Sequence, residues 1–219
     1  MGSHYGSLFY LYELIMAFPT TNAATELPAI NQILMACGQA PVTTLDETNP
    51  DVAIAYQTLL EVSREVQSEG WTFNKEDHVA VTPNDDNEIP ILSNYLQIDL
   101  TQADAGDKKA VVRNGKLYDK YNHTDKWTDG AVDCDILWLF DWVDLPRPIQ
   151  DYITARATCQ VVQKIVGDAD LYKLCQEKEG FTRAMALEYE CNQGNYTMFG
   201  HPRDGNNYIS YKPYLALQR

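Results

Sequence analysis

Leu27, Ile30, Ile33, Leu34 and Cys37 fall at steps of three and four, the spacing that gathers apolar side chains on one face of an α-helix. This predicts a helix ended by Gly38, with Pro41 just beyond it to forbid continuation. A second helix has a well-marked start. Asn49 can cap it, Pro50 fits the first position because its missing N–H would be unpaired there anyway, and Asp51 suits the positive end of the dipole. Val52, Ala55, Tyr56, Leu59, Val62 and Val66 carry its apolar stripe to a stop at Gly70, after which Trp71-Thr72-Phe73-Asn74 reads as extended chain. Two amphipathic helices make half of a helical bundle, and the rest of the chain must supply the other half.

From Trp71 to about Val143 the period changes from helical to alternating. Val79 and Val81 alternate with His78 and Ala80 before Pro83, a short strand closed by a residue that cannot continue a ladder. Asn84-Asp85-Asp86-Asn87-Glu88 reads as a solvated turn. Leu96, Ile98 and Leu100 share one face of a strand, opposite Tyr95, Gln97, Asp99 and Thr101. Val111-Val112-Arg113 and Lys116-Leu117-Tyr118 flank Asn114-Gly115, a pair that takes the positive φ angles of a type I′ hairpin turn. Val132, Cys134, Ile136, Trp138 and Phe140 alternate with Asp133, Asp135, Leu137, Leu139 and Asp141 in a further strand. Short strands with no helix between them favour an antiparallel sheet, a sandwich or a small barrel.

The helical period reopens after Pro146, with Pro148 pre-set for a first turn and Ile149, Tyr152, Ile153, Cys159, Val162 and Val166 as the stripe up to Gly167. Asp168 or Asp170 can cap a fourth helix whose apolar positions are Leu171, Leu174, Cys175, Phe181, Met185 and Leu187. Charged Glu177-Lys178-Glu179 interrupts that stripe, and Gly180 marks a candidate kink or break. The fold class is therefore α+β: a four-helix-like bundle with an inserted antiparallel β domain and an extended C-terminal arm. The expected division is 1–20 as an N-terminal extension, 21–70 with 146–193 as the helical domain, 71–145 as the β domain and 194–219 as the arm.

From Asn192 the composition turns to Gly, Asn and Tyr, with Pro202 and Pro213, and cannot sustain a core of its own. Tyr196, Phe199, Tyr208, Tyr211 and Tyr214, with Arg219 at the end of the chain, are candidate partner-binding residues, because rigid aromatics and Arg are favoured interface anchors. A disordered terminus and an interface arm are equally open on composition alone. At the other end, the apolar run Leu8–Phe18 contains Glu13, lacks a preceding Lys or Arg and is shorter than the ~20 residues of a membrane span, so it reads as a non-membrane extension.

With 219 residues, 45% of them hydrophobic, the chain has material for a real core in one or two domains. Its net charge of −14 argues against nucleic acid as a ligand, since such binding is driven by Lys and Arg displacing condensed counterions. On composition alone an acidic surface points first to solubility, and a channel that DNA traverses without being held is the lesser reading. The five cysteines, at 37, 134, 159, 175 and 191, show no CxxC or Cys/His spacing and imply a reducing setting, with Cys37 and Cys159 as small hydrophobes.

No nucleophile elbow, zincin, phosphate-loop or dinucleotide motif occurs in the chain. The four histidines, His4, His78, His123 and His201, have no partner at ligand spacing, so no metal and no cofactor is expected. Asp133 and Asp135 share a strand face as a conceivable carboxylate pair, but no third ligand or glycine-rich loop accompanies them. Asp104 to Asp107 with Gly106 reads as a turn, not a calcium loop.

Four segments carry a family resemblance. LPAINQILMACGQAPVTTLDE, then QSEGWTFN, LPRPIQDYITARA and ALEYECNQGNY stand in the order and at the spacing of tail tubular protein A, the head-to-tail adaptor family of short-tailed, T7-like bacteriophages. The resemblance covers about Ala24 to Tyr196, so residues 1 to 15 read as an upstream start or an appended sequence.

The resemblance implies a non-enzymatic virion protein made in the host cytoplasm and placed in the tail neck. There it forms a homo-oligomeric, dodecameric ring between the portal protein and the tail nozzle, tail tubular protein B. Genome DNA passes through the ring without specific binding, tail fibres dock on it, no membrane is involved, and the C-terminal arm reaches along neighbouring subunits or the portal. Two other classes compete: a tail-associated, carboxylate-dependent polysaccharide hydrolase using Asp133 and Asp135, and an acidic module that mimics DNA.

Overall fold

The computed structural model describes residues 23–45, 48–101, 108–128, 130–194, 202–203 and 207–208. As the patterns predict, it mixes α-helices with antiparallel sheets. In order the elements are α1 (Ala23–Ala36), α2 (Pro50–Gln67), β1 (Lys75–Val81), β2 (Tyr95–Leu100), β3 (Ala110–Arg113), β4 (Lys116–Asp119), β5 (Val132–Trp138), a 3-10 turn (Trp142–Asp144), α3 (Arg147–Ile165), α4 (Ala169–Gly194) and the two-residue strands β6 (Pro202–Arg203) and β7 (Asn207–Tyr208).

Helix ends follow the local chemistry. Gly38 closes α1 at φ +77°, with the Gln39 amide returning to the Leu34 carbonyl at 2.9 Å. Asn49 caps α2 by accepting the Asp51 N–H at 3.1 Å. Asp168 accepts the Asp170 N–H at the head of α4. α1 begins four residues before Leu27 and carries Pro28 within it, near enough to its start that a missing amide costs only one early helix bond.

The helices are organised around α3. Ile149, Tyr152, Ile153, Ala157 and Val161 join Ile30, Ile33, Leu34, Val52, Ala55, Leu59, Val62 and Val66 in one buried cluster, so this side of α3 is covered by α1 and α2. Ala155, Cys159 and Val162 are buried on the reverse side, where Cys159 meets Cys175 and Glu179 of α4. A helix buried all round needs no amphipathic stripe, and α3 lacks a strong one. α4 packs along α3, adding Ala186 to the cluster and hydrogen-bonding Thr72 through Glu190. It runs unbroken through Gly180. The break that Gly180 offered does not occur, since a single glycine weakens a long helix by only about 1 kcal/mol.

Between the helix pairs, β5 is the centre of a three-stranded antiparallel sheet of order β1-β5-β2, and β3 pairs with β4 as the Asn114-Gly115 hairpin, both turn residues at positive φ. The sheet and hairpin share a second buried cluster that includes Ile89, Ile98, Leu100, Leu117, Trp127, Cys134 and Ile136. Three expectations are corrected here. Residues 71–74 form a turn, with the Asn74 amide on the Trp71 carbonyl, and extended chain begins at Lys75. β1 is longer than Val79 and its neighbours implied, because a bulge between Glu76 and Val79, with His78 at φ 61°, breaks the alternation that the pattern relied on. Glu88 is not a solvated turn residue, since it bridges Lys116 and Lys126.

Two buried amides stitch the chain where it enters and leaves the strands. Gln67 at the end of α2 exchanges hydrogen bonds with Phe140, donating Nε2 to its carbonyl at 3.1 Å and accepting its N–H at 2.8 Å. Asn74 donates Nδ2 to the Gln67 and Trp138 carbonyls, both at 2.9 Å, and accepts the Trp71 N–H at 3.0 Å. The outgoing and returning chains thus run side by side, and their backbone groups are satisfied there by side chains as well as by the Trp138 N–H on the Asn74 carbonyl at 2.8 Å.

Candidate functional site

The acidic strand face does structural work. Asp135 accepts the backbone N–H of His78 at 3.1 Å, and Asp133 lies 4.0 Å from the His78 ring. The two carboxylates therefore support the bulge in edge strand β1. Among the described residues no group of three or more His, Cys, Asp or Glu is placed to hold a metal ion.

The charged groups tie elements together. Lys116 and Lys126 hold the Glu88 carboxyl below its usual range. Burial opposes ionisation of Asp119, yet bonds from the Asn122 side chain and from the Lys109, Tyr121 and Asn122 amides hold it low as well, which anchors the loop after β4. Arg156 of α3 reaches Glu65 of α2, Glu69 in the turn just past it and the Tyr152 hydroxyl, while Arg183 of α4 approaches Glu69 at 3.8 Å and covers the Tyr152 ring. Glu26 is the exception. It is 1% exposed, and one of its carboxyl oxygens has no hydrogen-bond partner among the described residues. Burial pushes its pKa from 4.5 to about 7, against a hydrogen bond from Tyr56 and helped by the charge of Asp141.

What the described surface offers is apolar relief. Leu174, Phe181 and Met185 on α4 are 62%, 68% and 47% exposed, so positions that sequence reasoning assigned to a core form an open ridge. The charged run Glu177-Lys178-Glu179 among them was the available signal, because a buried stripe would not carry three charges. A cleft of about 220 Å³ opens between α1, the 3-10 turn and α3, lined by Pro28, Ala29, Gln32, Trp142 and Thr154, with Val143 61% exposed at its rim. A second, of about 400 Å³, lies between the end of α2 and the sheet, beside Glu69, Lys75, Asp99 and Asp135.

Of the sequence-stated partner residues, Tyr196, Phe199, Tyr211, Tyr214 and Arg219 lie outside the described residues, as do the N-terminal extension and Asp104 to Asp107. The backbone of Tyr208 is described, pairing with Pro202 across β6 and β7. No helix among the described residues is long and apolar enough to cross a membrane.

This combination of helices around α3, an antiparallel sheet between the helix pairs and relief surfaces on two sides can be set beside known proteins. Over 170 residues the chain is 32% identical to tail tubular protein A of Klebsiella phage KP34, a match covering 77% of this chain and 88% of that protein. A family described as tail tubular protein matches residues 27–196, which run from α1 through the sheet to just past α4. The chain belongs to the tail tubular protein family of bacteriophages.

Proposed function

We propose that this chain is a head-to-tail adaptor of a short-tailed phage, a structural protein of the virion neck whose work is binding and geometry. Copies close into a ring, dodecameric by resemblance, between the portal protein and the nozzle of tail tubular protein B. The genome passes through the channel, and the tail fibre docks outside. The observation that carries this reading is the length of the family match, which takes in both helix pairs and the strands between them. The net charge of −14 supports passage without retention, because like charge repels the phosphate backbone.

In this reading residues 21–70 and 146–193 act as a four-helix-like bundle at the portal side, 71–145 as a β domain towards the nozzle, and 194–219 as an arm along neighbouring subunits or the portal. Tyr196, Phe199, Tyr208, Tyr211, Tyr214 and Arg219 are its anchors. The hydrolase alternative gains no support, since Asp135 is committed to the His78 amide.

Mixing the purified chain with portal particles of its phage should give a complex whose added mass is a fixed multiple of the monomer. Absence of any complex across a range of salt concentrations overturns the adaptor reading. Removing residues 200–219 should weaken ring or portal attachment about tenfold or more while leaving the thermal midpoint of the monomer within a few degrees, in line with the weight that few aromatic anchors carry in an interface. Undiminished assembly of the truncated chain counts against the arm.

A further inference from the structure

We infer that the α4 ridge of one copy seats in the α1–α3 cleft of the next, so that the contact between copies is heterologous; this rests on the ring reading above. Leu174, Phe181 and Met185 follow one another at steps of seven and four, which aligns them in a row about 16 Å long on a single helical face. Phe181, at the centre of the row, is the most exposed large hydrophobic residue on the described surface. A row of this kind on a helix already packed along its other face marks an interaction surface.

The cleft has the matching form. Pro28, Ala29 and Trp142 give it an apolar lining that Val143 extends outward, Gln32, Gln150 and Thr154 give it a polar one, and about 220 Å³ admits one aromatic side chain. Charges match as well. Glu177 and Glu188 flank one side of the ridge and Lys178 the other. At the cleft mouth Arg147, 73% exposed, forms an i,i+4 pair with Asp151, with Asp144 nearby in the 3-10 turn. Ridge acids can therefore meet Arg147 while Lys178 meets Asp151.

Position completes the argument. The cleft is lined by α1, the 3-10 turn and the Arg147–Thr154 part of α3, with no α4 residue in its lining, whereas the ridge of α4 is exposed. One copy cannot fill its own cleft, but a neighbour can, and repetition of such a contact closes a ring when the rotation per copy divides the circle. The occupant is thus a second copy of this chain.

Sedimentation equilibrium over a wide concentration range, without portal, isolates this contact from the adaptor role. The wild-type chain should self-associate weakly, and F181E and V143E should each associate about 30-fold less tightly, the loss typical of a central anchor. Both positions are exposed, so circular dichroism should show both variants folded. The decisive sample is an equimolar mixture. F181E retains a good cleft and V143E a good ridge, so the mixture should form 1:1 dimers and nothing larger. Absence of wild-type self-association, undiminished association of either variant, or a mixture that stays monomeric overturns the contact. Loss of F181E association alone would show ridge meeting ridge in a closed dimer. Portal binding by the wild-type chain is read separately, so the adaptor reading stands or falls on its own assay.

Discussion

Replacing Asn74 by Ala should lower the unfolding free energy by about 3 to 5 kcal/mol, because one side chain satisfies three backbone groups in a buried turn. Asn74 is fully buried. Its removal leaves the Trp71 N–H without its acceptor and takes a donor from the Gln67 and Trp138 carbonyls. Each buried group left without a partner costs roughly 1–3 kcal/mol, with the sum reduced by local relaxation, by water entry and by the Gly70 N–H that the Gln67 carbonyl keeps. Urea denaturation monitored by tryptophan fluorescence measures the change. A loss under 1 kcal/mol would mean that the junction reorganises freely. Gln67→Ala should fall in a similar range through Phe140, and the double variant should lose less than the sum, since both residues fasten the same pair of chains.

The second large effect is the pH dependence that Glu26 imposes. Its pKa is about 7 in the folded protein against 4.5 in the unfolded chain, so the unfolded state releases the proton first as pH rises. Stability associated with the protonated acid is intact below pH 4.5 and is lost between there and about pH 7. At 1.36 kcal/mol per pKa unit the loss approaches about 3 kcal/mol. Burial is the main cause, with the Tyr56 hydrogen bond favouring the carboxylate and the charge of Asp141 opposing it. Glu26→Gln keeps shape and polarity and removes the titration. The variant should match wild type near pH 4 and exceed it by about 2 to 3 kcal/mol at pH 8, in parallel urea titrations. Equal stability of the two proteins at pH 8 would show that Glu26 is ionised in the fold at little cost.

Much of the fold was legible because local chemistry decides it. The Asn49-Pro50-Asp51 start of α2, the Gly38 stop of α1 and the Asn114-Gly115 hairpin each lie within a few residues of the groups they satisfy, and the structure keeps all three. Where the pattern failed, something remote had overridden it. β1 extends back to Lys75 because β5 offers a partner across a bulge, a matter of register that no alternation within β1 records. Glu88 reads as a loop acid until the hairpin brings Lys116 beside it and the later chain brings Lys126.

The candidate interface divides in the same way. The order of helices and strands, the acidic balance and the four family-bearing segments are properties of the chain alone, and they were enough to name a family. Tertiary structure decided which apolar positions are buried. α3 takes α1 and α2 on one side and α4 on the other, which leaves Phe181 in the open although its spacing matches that of core residues. Periodicity says that a face is apolar, but only the arrangement of neighbours says whether anything covers it, and the same is true of the polar side chains Glu26, Gln67 and Asn74, whose burial depends on contacts distant in sequence.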